Sequence, residues 1–234
     1  MSSMPFIADP CILEISILEN HEEMVDLKDQ TDILFGPSPE IPDNQDYTKL
    51  RKTLYHKLIQ AQDLLPKNLR FCIYEGYRSL DLQKMLFETR FQEIAELYPS
   101  WTHQQQFIET TRLVSPIMNL DGSTNIPPHS TGGAVDLYLV DQKGNPVEMG
   151  ILTKDWMLDV DGSLSKTDSL CISDAAQKYR KIMSEALSNV GLVNYHTEYW
   201  HWSYGDRYWA WGAGKSQAIY GSFVEHDKQQ KIKP

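Results

Sequence analysis

Apolar residues recur at helical spacing at Leu50, Leu54, Leu58, Ala61 and Leu65, with Pro66 as a stop, so the pattern predicts a first clear helix from about Tyr47 to Leu65. Phe71-Cys72-Ile73-Tyr74-Glu75-Gly76-Tyr77 reads as a short strand that leaves at a glycine. Ser79 suits the N-cap of a second helix, Asp81 in its first turn is favoured by the helix dipole, and Leu82, Met85, Leu86 and Ile94 form its apolar face. Pro99-Ser100 breaks this helix and starts another that runs to about Leu113. Residues 115–128 form a loop rich in Pro, Asn and Gly, Ala134 to Val140 a strand, Lys143 to Pro146 a turn, and residues 153–172 a polar excursion. Asp174 with Gln177 resembles a capping box for a last long helix, whose core face is Tyr179, Ile182, Met183, Ala186, Leu187 and Val190, and Gly191 fits its C-terminal cap. An aromatic strand follows from about Tyr199 to Tyr204.

Residues 1 to about 45 are acidic and show little helical periodicity. Pro5, Pro37, Pro39 and Pro42 punctuate them, so extended segments and loops packed on a later core are expected. Strands scattered among helices, without regular βαβ alternation, indicate an α+β fold. The expected organisation is an irregular segment 1–45 and a single domain over 46–234.

A chain of 234 residues buries roughly 70–75% of its unfolded surface, so neither disulfides nor a metal are needed merely to fold. Hydrophobic residues at 41% and charged residues at 23% exclude global disorder. The net charge of −10 argues against nucleic acid or an anionic membrane as partner. Cys11, Cys72 and Cys171 are widely spaced and form no CxxC pair, which points to reduced thiols and a cytoplasmic location. The opening residues lack a basic stretch followed by an apolar one, so no standard secretory signal is expected, and no apolar run approaches the ~20 residues of a membrane helix.

Two clusters carry candidate chemistry: Pro128-His129-Ser130-Thr131-Gly132-Gly133-Ala134-Val135-Asp136 and Glu198-Tyr199-Trp200-His201-Trp202. A catalytic zinc takes three N/O ligands and keeps one position open, and His129, Asp136 and His201 could supply the three, leaving Glu198 free as a base. Alternation puts Val135, Leu137 and Leu139 on the core face and Asp136 on the other, where it needs a partner. A metal would satisfy it, and so would a neighbouring histidine at the surface. Residues three apart on a regular strand face opposite sides, so this reading requires Glu198 to sit in a bend before the strand. The alternative is a buried aromatic strand whose His201 is a satisfied core residue. Arg78, at the exit of the first strand, could stabilise charge on a carbonyl oxygen if it lines the same cleft, or simply pair with Glu75 or Asp81. His196, five residues from His201, could compete with it for a metal, but reads as a group behind the ligands or in the loop.

Taken together, His-x6-Asp enclosing Gly-Gly-Ala-Val-Asp-Leu, Glu-x-x-His among aromatics, and the upstream Glu-Gly-Tyr-Arg-Ser resemble the VanX-like D-alanyl-D-alanine dipeptidases of the zinc D,D-peptidase superfamily, over about residues 47–212. The resemblance implies a compact α+β fold with a small antiparallel sheet carrying one zinc ion and flanked by helices. It implies His129, Asp136 and His201 as zinc ligands, Glu198 as catalytic base and Arg78 as the residue stabilising the tetrahedral intermediate. The implied activity is hydrolysis of a short D-amino-acid peptide, D-Ala-D-Ala first of all. The alternatives are a D,D- or L,D-carboxypeptidase acting on longer peptidoglycan peptides and a non-catalytic zinc-binding module. The sequence departs from the family pattern after Met149-Gly150, where Ile151-Leu152-Thr153-Lys154-Asp155-Trp156 follows. In the family, that stretch closes a small pocket around the amino end of the substrate.

Overall fold

The structure is a computed structural model that describes residues 4–39, 45–159 and 161–223. In chain order its elements are α1 (Pro10–Leu13), β1 (Ser16–Ile17), β2 (Met24–Asp26), β3 (Leu34–Phe35), β4 (Lys49–Arg51), α2 (Lys52–Asp63), β5 (Leu69–Glu75), α3 (Leu80–Leu97) and α4 (His103–Thr111). There follow β6 (Ala134–Asp141), α5 (Asp174–Asn189), β7 (Val193–Asn194), β8 (His201–Ser203), α6 (Arg207–Gly212) and β9 (Gln217–Ala218). Single 3-10 turns span Leu27–Asp29, Pro128–Thr131 and Thr153–Leu158. This is the expected α+β arrangement. Pro42 and residues 224–234 lie outside the described residues.

The central sheet has the order β3-β5-β6-β8-β7 and is antiparallel except at the edge, where β3 runs parallel to β5. The extra parallel edge comes from the opening segment, which also pairs β1 with β9 and β2 with β4. Leu27 and Ile33 of that segment sit in the same buried cluster as the sheet.

Side-chain alternation builds the core on one face of the sheet. Phe71 stands opposite Leu139, Ile73 opposite Leu137, and Val135 opposite Trp202. These residues are buried with Leu54, Leu58 and Ala61 of α2 and with Met183, Ala186 and Leu187 of α5. The other face carries Asp136 and His201, and against it stand α3 and the loops before β6.

Three helix boundaries differ from the sequence pattern, for physical reasons. The first helix begins at Lys52, not Tyr47, because the backbone of residues 47–51 is engaged elsewhere. Gly76 N–H donates to Tyr47 O, Tyr77 N–H to Lys49 O, and Arg51 N–H to Gly132 O, while Lys49–Arg51 pairs with β2. The last long helix is capped by Ser173, whose hydroxyl accepts from Ala176 N–H, and the Gln177 side chain donates to Ile172 O; Asp174 is the first helical residue rather than the cap. Its far end closes as expected: Gly191 has φ 84°, Gly191 N–H donates to Ser188 O and Leu192 N–H to Leu187 O. Arg180 on its buried face donates to the carbonyls of Met149 and Lys166 and lies over the Tyr199 ring, tying residues 149–172 to the sheet. Ser79 caps α3 as its position suggests, but α4 begins at His103 and not at Ser100, because Thr102 and Gln105 form a reciprocal capping box there.

Candidate metal centre

Sheet register brings the first two groups together. Asp136 on β6 and His201 on β8 are direct cross-strand partners, and partners on adjacent strands project from the same face. His201 Nδ1 lies 3.0 Å from Asp136 Oδ1. The third group arrives through a turn. Pro128–Thr131 forms one 3-10 turn, and Gly132, at φ 71°, reverses the chain into β6. Gly133 lets that reversal pack tightly, since a Cβ there would stand 2.4 Å from the Tyr204 carbonyl oxygen. His129 is thereby folded back, with Nε2 3.4 Å from Asp136 Oδ1 and 3.2 Å from His201 Nδ1.

The proton positions follow from the partners. His129 Nδ1 lies 2.8 Å from Gly76 O, and a carbonyl oxygen only accepts, so Nδ1 carries a proton and, in the neutral ring, Nε2 presents its lone pair to the cluster. Three donor atoms of two histidines and an aspartate thus face one another, all buried and within 4.8 Å. Burial works to raise the Asp136 pKa, but the imidazoles of His129 and His201 overrule it and hold the carboxyl well below the usual range. Burial would lower the His129 pKa, and the Asp136 charge reverses that into a net rise. Such a group is satisfied by a shared proton or by a cation. Two imidazole nitrogens and one carboxylate oxygen around one point are the donor set of an open divalent-metal site.

The centre opens into a cleft of about 260 Å³. Its walls come from Arg78 and α3, from Thr153, Lys154, Trp156 and Met157 of the excursion, and from Tyr195, Glu198 and Trp200 before β8. Glu198 occupies a turn, with its N–H donating to Tyr195 O and its carbonyl accepting from His201 N–H. That turn is the bend the sequence reading required. Burial pushes the Glu198 pKa up to about 7, opposed by His201 and Arg78 and assisted by the Asp136 charge.

Arg78 both lines the cleft and makes the ion pair considered for it. Its Nε donates to Glu75 Oε1 at 2.8 Å, its Nη2 pairs with Glu75 Oε2, and its Nη1 donates to Gln83 Oε1 at 2.9 Å. Glu75 reaches this face through an irregularity in β5. Simple alternation from Ile73 would bury Glu75 against the helices, but the register shifts between the two residues and Glu75 comes to stand opposite Asp136. Sequence reasoning treats Glu75 only as a partner for Arg78, and a one-residue bulge leaves no local signal. Gln83, which also donates to Ser115 O, and Tyr195, whose ring meets His201 edge-on at 5.9 Å, belong to no motif that marks them in the sequence. His196 remains outside the cluster, with its Nδ1 3.3 Å from Tyr208 Oη. Cys11, Cys72 and Cys171 are free thiols, and among the described residues no helix is long and apolar enough to cross a membrane.

A family model described as D-ala-D-ala dipeptidase matches residues 41–220. A curated D-alanyl-D-alanine dipeptidase of Synechocystis sp. is 25% identical over 184 residues, covering 68% of this chain and 70% of its own length. Among solved structures, the LdcB LD-carboxypeptidase aligns with 18% identity and a TM-score of 0.42, covering 80% of this chain and 71% of its own. The VanYB structure with D-alanine-D-alanine aligns with 15% identity and a TM-score of 0.41, covering 85% and 92%.

Proposed function

This chain belongs to the D-ala-D-ala dipeptidase family and is a metallopeptidase, and on that premise we propose that it hydrolyses D-Ala-D-Ala with one zinc ion held by His129, Asp136 and His201. The observation that carries this reading is the mutual approach of His129 Nε2, His201 Nδ1 and Asp136 Oδ1 at 3.0–3.4 Å, with Glu198 and Arg78 lining the same cleft. When bound, zinc makes water acidic enough to attack near neutral pH and polarises the scissile carbonyl.

The chain's own residues divide the remaining work. Glu198 accepts the proton of the attacking water and delivers it to the leaving amine, a task suited to a carboxyl whose pKa burial has raised to about 7. Arg78 donates to the carbonyl oxygen as charge builds on it. Glu75 and Gln83 hold the guanidinium from behind, so its orientation is set before substrate arrives. His129 is fixed as a ligand by Gly76 O. Protein-supplied bases and oxyanion donors of this kind contribute roughly 10²–10⁴-fold each.

A second reading, carboxypeptidase action on longer peptidoglycan peptides, draws on the reach of the cleft past Arg78 along α3 to Leu86 and Arg90. Both readings place the enzyme in contact with a small D-amino-acid peptide, and the reduced thiols favour the cytoplasm. Turnover of D-Ala-D-Ala, its L,L counterpart and an N-acetylated form by the zinc-loaded protein separates the alternatives. A dipeptidase cleaves only the free D,D-dipeptide. Cleavage of the blocked peptide at an equal rate identifies a carboxypeptidase, and inertness toward all D-peptides identifies a zinc-binding module without catalysis.

A further inference from the structure

His201 presents a ring nitrogen to each of two neighbours. Nδ1 faces Asp136 and His129, while Nε2 faces Ser203 Oγ at 3.5 Å, the outer edge of hydrogen-bonding distance. Alternation along β8 places Ser203 on the same face as His201, opposite Ala134, and the residue is fully buried. Beyond it lies Asp206, also buried. Asp206 Oδ1 caps α6 by accepting Trp209 N–H at 2.8 Å. Its Oδ2 is shielded from solvent and has no hydrogen-bond partner among the described residues; burial pushes the Asp206 pKa up, and the Ser203 side chain works against that rise.

A neutral imidazole carries one proton, and the nitrogen that holds it cannot bind a cation. Zinc ligation through Nδ1 therefore requires the proton on Nε2, with an acceptor to receive it. A serine hydroxyl alone does not decide the matter, since it donates or accepts equally. A buried carboxylate with an uncommitted oxygen does decide it, by drawing the hydroxyl proton and turning the oxygen lone pairs toward the ring. We infer that Ser203 and Asp206 are positioning residues for His201: Nε2–H donates to Ser203 Oγ, whose own proton points to Asp206 Oδ2, leaving the Nδ1 lone pair for the metal. The inference rests on the assignment of His201 as a ligand under the proposed function. Partners behind a ligating histidine commonly change metal affinity 10–100-fold.

The test is zinc affinity of the folded chain, measured by competition with a chromogenic chelator, for the parent and for Ser203→Ala, Asp206→Asn, their double variant and His201→Ala. Ser203→Ala only removes an oxygen, and in Asp206→Asn the side-chain oxygen still caps α6 while the carboxylate is lost. The expected result is that each single variant weakens zinc ten- to a hundredfold with little change in the melting curve of the metal-free protein. Because the two groups act in series, the double variant then loses no more than the worse single. Parent-like affinity in Ser203→Ala overturns the relay, and parent-like affinity in Asp206→Asn removes Asp206 from it. Additive losses in the double variant also overturn it. If His201→Ala still binds zinc stoichiometrically, the ligand assignment itself fails, which is a different result from a failed relay.

Discussion

His201 stands directly opposite Asp136 across the β6–β8 ladder, with Nδ1 3.0 Å from Oδ1. Backbone pairing therefore holds two of the three clustered groups together before any ion is present. A one-residue slip in register would exchange His201 for a tryptophan on either side and send its imidazole toward the helices. Trp202, packed in the core opposite Val135, opposes such a slip because it would have to leave buried surroundings.

Glu198→Gln keeps the shape of the turn and removes the base. Turnover of D-Ala-D-Ala should fall by about 10²–10⁴-fold while zinc stoichiometry stays at the parent value. Elemental analysis alongside steady-state kinetics checks both halves, and unimpaired turnover would remove Glu198 from the reaction.

The same substitution has a second, pH-dependent consequence in the metal-free protein. The folded state holds the Glu198 pKa at about 7 against an ordinary 4.5, mainly through burial. A carboxyl raised on folding favours the native state below its unfolded pKa, and that contribution is lost as pH rises through the folded value. Glu198→Gln should therefore add little stability at pH 5 and on the order of 1–3 kcal/mol at pH 8. Denaturant titrations at the two pH values measure this; a gain that is larger at pH 5 would contradict it.

Arg78→Lys keeps a positive charge but loses the planar fork that Glu75 and Gln83 hold. The expected effect is a drop in kcat of roughly 10²–10³-fold, with zinc retained and a smaller change in KM. A pure rise in KM would mean that Arg78 binds the substrate ground state instead of stabilising developing charge.

Gly133→Ala probes the loop that carries His129. The new methyl would stand 2.4 Å from the Tyr204 carbonyl oxygen and 2.7 Å from the Tyr220 ring, so the backbone must shift. A loss of about 1–3 kcal/mol in stability, with weaker zinc binding, is expected by thermal melting and chelator competition. Parent-like values for both would show that the loop tolerates the displacement.

Much of this arrangement is legible in the chain. Apolar periodicity locates α2, β5, α3, β6 and α5, because burial of one face leaves its spacing in the chain; on α3, though, only Leu82 and Ile94 of the expected face are buried, and Met85 is exposed. The convergence of His129 with Asp136 is readable because Gly132-Gly133 permits the turn and alternation aims Asp136 away from the core. What escapes is set by distant contacts. The helix expected from Tyr47 gives up its first residues because their backbone groups serve β2, Gly76, Tyr77 and Gly132. Glu75 reaches the cleft only through the bulge in β5, and Arg180 is buried because it satisfies the carbonyls of Met149 and Lys166, 31 and 14 residues away. The divergent residues after Met149 and Gly150 do fall on the cleft, through Thr153, Lys154, Trp156 and Met157.

The most direct test of the account is a crystal of the zinc-loaded protein measured on both sides of the zinc absorption edge. A single anomalous peak per chain is expected, about 2.0–2.2 Å from His129 Nε2, His201 Nδ1 and an Asp136 oxygen, with Glu198 unligated. A peak held by other side chains, or none between these three at full zinc loading, would contradict it.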